Sequence, residues 1–502
     1  MGINPGGAVA QTRFIPQHFK PICVDWLMKR KIPVMARMAI SSVLFLAPVL
    51  CLAQQSSSNA AEQAQIEKVP EFVWKQSLPI AWGDPKILPI GGTEIRELVA
   101  FDNKLFAANG YWMDTARADP ALPGAQILRL DSADSHWQVD LELTDRIPLG
   151  LRKYQAISTL EKVRLTTDSA GRALADPVDL LLAGVWNRAV GLDVFSRGVG
   201  SGWSKIPIPG QEDVPRGTQV RAFSLHKDQI TGIDIVFAGA TNAIFTGTYD
   251  GEHHQIVWNA QPEWRGHFAD DPDGPKGRVS CFVECGGKLY AAAYDTIYER
   301  SDGKSPAWRK VFQTTIHAQS NRVTGFRGLT CIRDSSGSAD VLLVGVEDNP
   351  VRIYRIDPHK IDAGGEFSGT LDLNVSAFLT KALGTDATYG IVAYNNMTKY
   401  PDAAKADCSL LIGLETATPR AARMVAGRHN PNAYYLVRDC NGGYFLREIC
   451  DLQIKPKPML ESVRTLAVSP FPSDPAGTVY AGGFDANGTA AHNTAWLYKG
   501  LP

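Results

Sequence analysis

The chain has almost no net charge: 51 basic residues stand against 52 acidic ones among 502, a formal balance of -1. No global field is therefore available to draw in nucleic acid or an anionic bilayer, and any charged-ligand specificity must be local. Long apolar runs are also lacking, since the stretch from Met38 to Leu52 is too short to read as a membrane span. There is no Gly-x-Ser-x-Gly elbow, no His-Glu-x-x-His helix and no phosphate-cradling Gly-x-x-x-x-Gly-Lys loop, so haem-linked and nucleotide-dependent chemistry have no support. Cysteines number eight, and Cys281 with Cys285 is a lone pair without zinc-site or haem-attachment spacing. The acidic run Asp270-Asp-Pro-Asp-Gly-Pro-Lys lacks the closing Glu of an EF-hand loop and reads as a solvated turn.

What is present begins with an export pattern. Met28-Lys-Arg-Lys forms a basic n-region, Met38 to Leu52 an apolar h-region, and Cys51-Leu-Ala53 a small-x-small cleavage pattern before Gln54. Residues 1–53 read as a signal-peptide region with Met28 as the expected true start, 54–68 as a polar linker, and 69–502 as a single domain. The mature protein is expected in the periplasm or secreted, with no stable membrane span after cleavage. Six cysteines remain there and are free to oxidise in such a compartment. Cys408 opens a second strand and Cys440 closes a third, so antiparallel pairing sets those ends side by side as a disulfide. Cys281 and Cys331 occupy equivalent innermost strands, facing each other across a blade boundary or lying as buried thiols.

Repetition governs the rest. Arg278-Val-Ser-Cys-Phe-Val-Glu-Cys, Lys288-Leu-Tyr-Ala-Ala-Ala, Thr296-Ile-Tyr-Glu-Arg and Ala307-Trp-Arg-Lys-Val-Phe read as three strands and a closing Trp strand. The same outline runs over about 94–144, 154–208, 220–264, 328–379, 389–452 and 463–498. The last of these lacks an outer strand, for which Glu71-Phe-Val-Trp-Lys-Gln is the donor. The expected fold is all-β, a seven-bladed β-propeller closed by that N-terminal strand. Six or eight blades stay open, and a β-sandwich pair is the rival architecture. The chain resembles secreted bacterial β-propellers of the WD-repeat-like and Asp-box-bearing kind, without a specific family. Ser301-Asp-Gly-Lys-Ser-Pro-Ala-Trp308 is similar to an Asp-box turn. Arg146-Ile-Pro148 resembles the Arg-Ile-Pro of sialidases but falls between the first two blades, a departure from that pattern.

Function in such a fold lives in the loops between second and third strands. Three consecutive blades carry long ones: 109–124 in the first, 415–432 in the sixth and 484–494 in the seventh. They bring Trp112, Asp114 and Arg117; Arg420, Arg423, Arg428, His429 and Asn430; and Asp485, His492 and Asn493. Guanidinium pairs bind planar anions and Trp stacks on sugar faces, so the set suits a carbohydrate or carboxylate-like ligand, including a polysaccharide. The alternatives are a hydrolase or lyase on the same loops, or a protein-interaction platform. In an enzyme, His429 or His492 would be general acid or base, Asp114 or Asp485 its partner, and Arg423 or Arg428 the anion clamp. A single divalent metal is left open, with His267 and His317 the nearest further ligands. His253-His254 reads as a surface turn.

Overall fold

Short turns between alternating apolar and polar segments leave each strand only its sequence neighbour to pair with, and the result is a succession of antiparallel meanders. The computed structural model describes residues 71–78, 90–111, 122–211, 218–267, 277–316, 325–333, 339–348, 350–384, 389–392, 397–401, 409–417, 433–455, 460–484 and 494–502. All of them fall in one compact unit, Gln65–Pro502. The expected signal region 1–53 and the expected linker 54–68 lie outside the described residues.

The chain is all-β with four-stranded blades and one α-helix among the described residues. Strands β2 (Glu94–Phe101), β3 (Lys104–Gly110), β4 (Ala125–Leu130) and β5 (Gln138–Leu143) form the first blade. The next holds β6 (Tyr154–Thr167), β7 (Ala173–Asn187), β8 (Val194–Gly198) and β9 (Trp203–Lys205). Three separate sheets follow: β10 (Val220–Lys227) to β13 (Gln255–Trp258) with β14 (Trp264–Arg265), β15 (Val279–Cys285) to β18 (Ala307–Gln313), and β19 (Gly325–Arg333) to β22 (Phe367–Asn374). Beyond them, β23 (Tyr389–Val392) and β24 (Thr398–Tyr400) share one place beside β25 (Ser409–Ala417), which leads to β26 (Ala433–Arg438) and β27 (Tyr444–Ile449). The last blade is β28 (Ser462–Val468), β29 (Val479–Phe484) and β30 (Trp496–Leu501), and β1 (Val73–Leu78) pairs antiparallel with β30 as its fourth strand.

The core lies between blades, because middle strands are apolar on both faces. Phe106, Ile127, Leu160, Leu181 and Phe195 make one such layer, and Leu182, Val194, Val236 and Phe245 the next. The glycine that recurs in second strands has a packing reason. A Cβ on Gly184 would lie 2.8 Å from Val220 O, the opening residue of the next blade's inner strand.

The closing tryptophans fasten each blade to the one before. Asp140 on β5 accepts from Arg197 Nη1 at 2.6 Å and from Trp203 Nε1 at 2.7 Å. Glu263, just before β14, accepts from Arg300 Nε at 2.8 Å and Trp308 Nε1 at 2.9 Å. Asp372 on β22 accepts from Arg438 Nε at 3.1 Å and from Tyr444 Oη at 2.5 Å. At three boundaries, then, one half-buried acid is clasped by an arginine and an aromatic donor from the following blade. Trp137 Nε1 does the same without an arginine, donating to Ser77 Oγ at 2.9 Å. The Asp-box-like segment Ser301 to Trp308 is the β17–β18 turn, where Ser301 Oγ bonds both N and O of Ala307 at 3.1 Å.

Two expectations are corrected. Cys331 bonds Cys285, not Cys281, which stays a free, buried thiol. Cys281 and Cys285 share a face of β15, but Cys331 lies near the far end of β19, so it meets the residue at the far end of its neighbour. The strand pattern expected through Leu379 ends instead at β22. Helix α1 (Val375–Leu383) follows, capped by Asn374 Oδ1 accepting from Ala377 N at 3.0 Å and stopped by Gly384 at φ 62°. Val375 and Leu379, one turn apart, are its buried face.

Candidate functional site

The three long loops leave the sheets where neighbouring blades are hydrogen-bonded to one another. Glu415 on β25 pairs with Ser462 on β28, Ser462 with Phe484 on β29, Phe484 with Glu94 on β2, and Glu94 with Gly110 on β3. This ladder crosses three blades in five residues. Three of its members, Glu415, Phe484 and Gly110, stand within three residues of the start of segments 418–432, 485–493 and 112–121. Two of those loops also share a backbone anchor: Thr93 N donates to Gly110 O at 2.7 Å, and Thr494 N to Gly92 O at 3.0 Å. These cross-links merge the blades on this side into a 17-stranded sheet, whereas the three blades from β10 to β22 stay separate. The roots of the three loops are thus held together as one platform.

Beneath the ladder is a buried charge network. Arg464 Nε donates to Glu94 Oε1 at 2.9 Å, its Nη1 lies 2.5 Å from Glu415 Oε2, and its guanidinium sits 5.3 Å from the Phe484 ring centroid. Arg96 Nε is 3.5 Å from Glu94 Oε2. Glu94, Arg96, Glu415 and Arg464 are all buried. Arg152, also buried, stacks its guanidinium 4.5 Å over Tyr111, the residue from which loop 112–121 departs. Within the cluster around Arg464 the charges of Glu94, Arg96, Glu415 and Arg464 balance one another.

A backbone device sets these arginines in place. Register shifts between Ile95 and Glu97, Val220 and Ala222, and Val463 and Thr465 make Arg96, Arg221 and Arg464 the extra residues of bulges at matched places in their inner strands. A bulge turns one side chain out of the alternation. The sequence signal was there, a charged residue recurring near the opening of an otherwise apolar strand, as in Glu94-Ile-Arg-Glu-Leu and Val463-Arg-Thr-Leu.

Of the residues expected from sequence, Trp112, Asp114, Arg117, Arg420, Arg423, Arg428, His429, Asn430, Asp485, His492 and Asn493 lie outside the described residues, as do His317 and Cys408. Cys440 is disulfide-bonded, and Ser409 Oγ, next in sequence to Cys408, is 3.4 Å from its sulfur. His267 is exposed beyond β14. His253 is an exposed turn residue bonded to Asp250 at 2.7 Å. The one close group of potential metal-ligating side chains among the described residues is Cys285, Cys331 and Asp340, whose two sulfurs are committed to the disulfide.

One carboxyl stands out electrostatically. Glu161, on inner strand β6, keeps partial solvent contact yet is enclosed by protein, and this enclosure, with the Glu97 carboxylate adding repulsion, pushes its pKa up to about 8. Glu97 Oε2 itself accepts from Thr159 Oγ1 at 2.9 Å. The ladder reaches β6 at Ala156, paired with Gly110. Five residues of strand separate Ala156 from Glu161, roughly 17 Å of rise.

No family model matches the chain, and no curated protein matches it. Among solved structures, the extracellular domain of a one-component system from B. thetaiotaomicron aligns at TM-score 0.41 and 8% identity, over 85% of this chain and 39% of that one. The extracellular domain described as a hybrid two-component system of the same organism gives 0.43 and 11%, with the same coverage of 85% and 39%. A variant of the NanB sialidase from Streptococcus pneumoniae gives 0.38 and 12%, over 87% of this chain and 72% of that one. The chain spans well under half the length of the two sensor domains, 39% of each. Likenesses this distant carry no assignment of activity.

Proposed function

We propose that the protein is an exported, closed seven-bladed propeller that binds a small polar or anionic ligand, carbohydrate or carboxylate-like, over the platform of loops 112–121, 418–432 and 485–493. The observation that carries the reading is the ladder Glu415–Ser462–Phe484–Glu94–Gly110, which ties the roots of all three loops together. Loops held at their roots lose less freedom on binding, so Arg423, Arg428 and Trp112 can converge at lower cost. Closure of the ring through β1 hides the edge that β30 would otherwise present. Export is supported by the Cys285–Cys331 disulfide and by a second one at Cys440, for which Cys408 is the proposed partner. No helix among the described residues is long and apolar enough to cross a membrane.

Binding is preferred over hydrolysis on one ground. Glu161, the described carboxyl whose pKa is raised furthest toward neutrality, lies roughly 17 Å of strand from Ala156, where the ladder meets β6, and not at the platform itself. The test is a calorimetric screen of the mature chain against neutral and acidic sugars, repeated with Arg423→Gln and Arg428→Gln. Binding weakened by both substitutions, more so at low salt, supports the reading. Binding indifferent to both removes the sector from consideration.

A further inference from the structure

We infer that the Cys285–Cys331 pair in its reduced form, together with Asp340, is a binding site for one thiophilic divalent cation of the zinc class. Cys285 closes β15, Cys331 lies near the far end of β19, and Asp340 opens β20 (Asp340–Glu347). Across β19 and β20, Leu342 pairs with Cys331 and Asp340 with Arg333. Directly opposed residues share a face of a sheet, so Asp340 is the diagonal neighbour of Cys331 on that face. Cys285 reaches the same spot from the preceding blade, as its bond to Cys331 shows. One ligand atom from each of the three residues lies within 4.8 Å of the other two. Cys285 is buried, but Cys331 and Asp340 are half-buried, so solvent meets the group from the Cys331 side.

In the oxidised protein the two sulfurs satisfy each other, and a dithiol reductant changes that. Its thiolate attacks Cys331 Sγ, the more open sulfur, and expels Cys285 as a thiolate. Its second thiol then displaces Cys331, so two electrons and two protons pass to the pair while the dithiol leaves as a cyclic disulfide. The reduced pair faces the Asp340 carboxylate, and like charges this close disfavour ionisation of both thiols. A divalent cation removes the conflict by displacing the two thiol protons to solvent. Thiolate ligands select zinc-class ions over magnesium or calcium, and three protein ligands leave a fourth position for water. Two thiolates, one carboxylate and a doubly charged ion leave one negative charge over. Arg333, with Nε 3.1 Å from Asp340 Oδ1, is placed to balance it.

The experiment uses the full chain, reduced with excess dithiol and separated from it by gel filtration without oxygen. Cd²⁺ is titrated in while thiolate-to-cadmium charge-transfer absorption is followed, with Zn²⁺ as competitor and the melting temperature as a second readout. The oxidised protein should show no absorption, and the reduced one a band that Cys440→Ser keeps and Cys331→Ser loses. Asp340→Asn, which keeps both sulfurs, should weaken binding by at least the roughly tenfold that loss of an outer-shell partner costs. Zn²⁺ should raise the melting temperature of the reduced chain and leave that of the oxidised chain unchanged. If Cys331→Ser fails to fold, Asp340→Asn decides. Binding to Asp340→Asn as tight as to the parent overturns the inference. So does absorption that follows Cys440 instead of Cys331, or a reduced chain that unfolds and is not restored by Zn²⁺.

Discussion

Arg464 Nε donates to Glu94 Oε1 across 2.9 Å, although 370 residues separate the two along the chain. The bond joins the inner strand of the last blade to that of the first, at the ladder from which the long loops depart. A contact of such sequence separation gives nothing back until the intervening chain has folded.

Replacing Arg464 should therefore be severe. Arg464→Met leaves Glu94 and Glu415 buried without their shared cation, and breaking a buried pair from one side costs roughly 3–5 kcal/mol. Urea denaturation should show that loss. Combining Arg464→Met with Glu94→Gln and Glu415→Gln should recover a good part of it, because the uncompensated charges go too. A single variant as stable as the parent would mean the network is solvated.

The acid clasps predict a repeated and smaller effect. Trp203→Phe and Trp308→Phe each remove one indole donor while keeping the ring, leaving Asp140 and Glu263 with their arginines. Each should cost about 1 kcal/mol, and the two should add, since the sites share no partner. Asp140→Ala should cost more, because it strands Arg197 Nη1 and Trp203 Nε1 together. Chemical denaturation of the two singles, the double and Asp140→Ala checks this.

These clasps also show what the sequence could and could not disclose. Trp137, Trp203 and Trp308 were legible as strand markers because an aromatic recurs at a fixed place in the blade, and strand order followed from local turns. The acids that receive them were not, since Asp140, Glu263 and Asp372 come from the preceding blade at no fixed spacing from their donors. The partner of Cys331 stayed open in the sequence for the same reason: parity along a strand is local, but its offset against the next blade is set by bulges. The role of Glu94 and Arg464 is not legible in sequence, because charge in a strand opening resembles solvated surface until the ladder pairs it. Asn374 and Gly384, by contrast, bracket α1 with a cap and a stop that a local reading could have used.

Thiol chemistry should separate the cysteines. The Cys285–Cys331 disulfide closes a 46-residue separation, for which the chain-entropy estimate is about 4 kcal/mol, so reduction or Cys331→Ser should lower stability by up to that amount. Burial pushes the Cys281 thiol up to about 11, which keeps it protonated and unreactive at neutral pH. Iodoacetamide should leave Cys281 untouched in the native protein and label it after unfolding in denaturant. Peptide mapping without reduction should recover Cys285 linked to Cys331, and Cys440 linked to Cys408. Rapid native labelling of Cys281 would contradict its packed position.

Glu161 sets an opposite trend in pH. Its carboxyl titrates near 4.5 in the unfolded chain and is pushed up to about 8 by enclosure and by Glu97, so between those values the folded state holds a proton that the unfolded state has released. Stability from this group is then fully present below about pH 4.5 and falls as pH rises through about 8. Asp228 works the other way: Gly303 N, Thr231 N and Arg300 outweigh its burial and hold its pKa well below the usual carboxylate range, so its contribution is lost only in strong acid. Thermal melts of the parent from pH 5 to 9 should accordingly decline, and Glu161→Gln, uncharged throughout, should flatten that decline and raise the melting temperature most at the alkaline end. Identical pH profiles for parent and variant would mean that Glu161 is ionised at neutral pH and hydrated, with Glu97 too far away to oppose its charge.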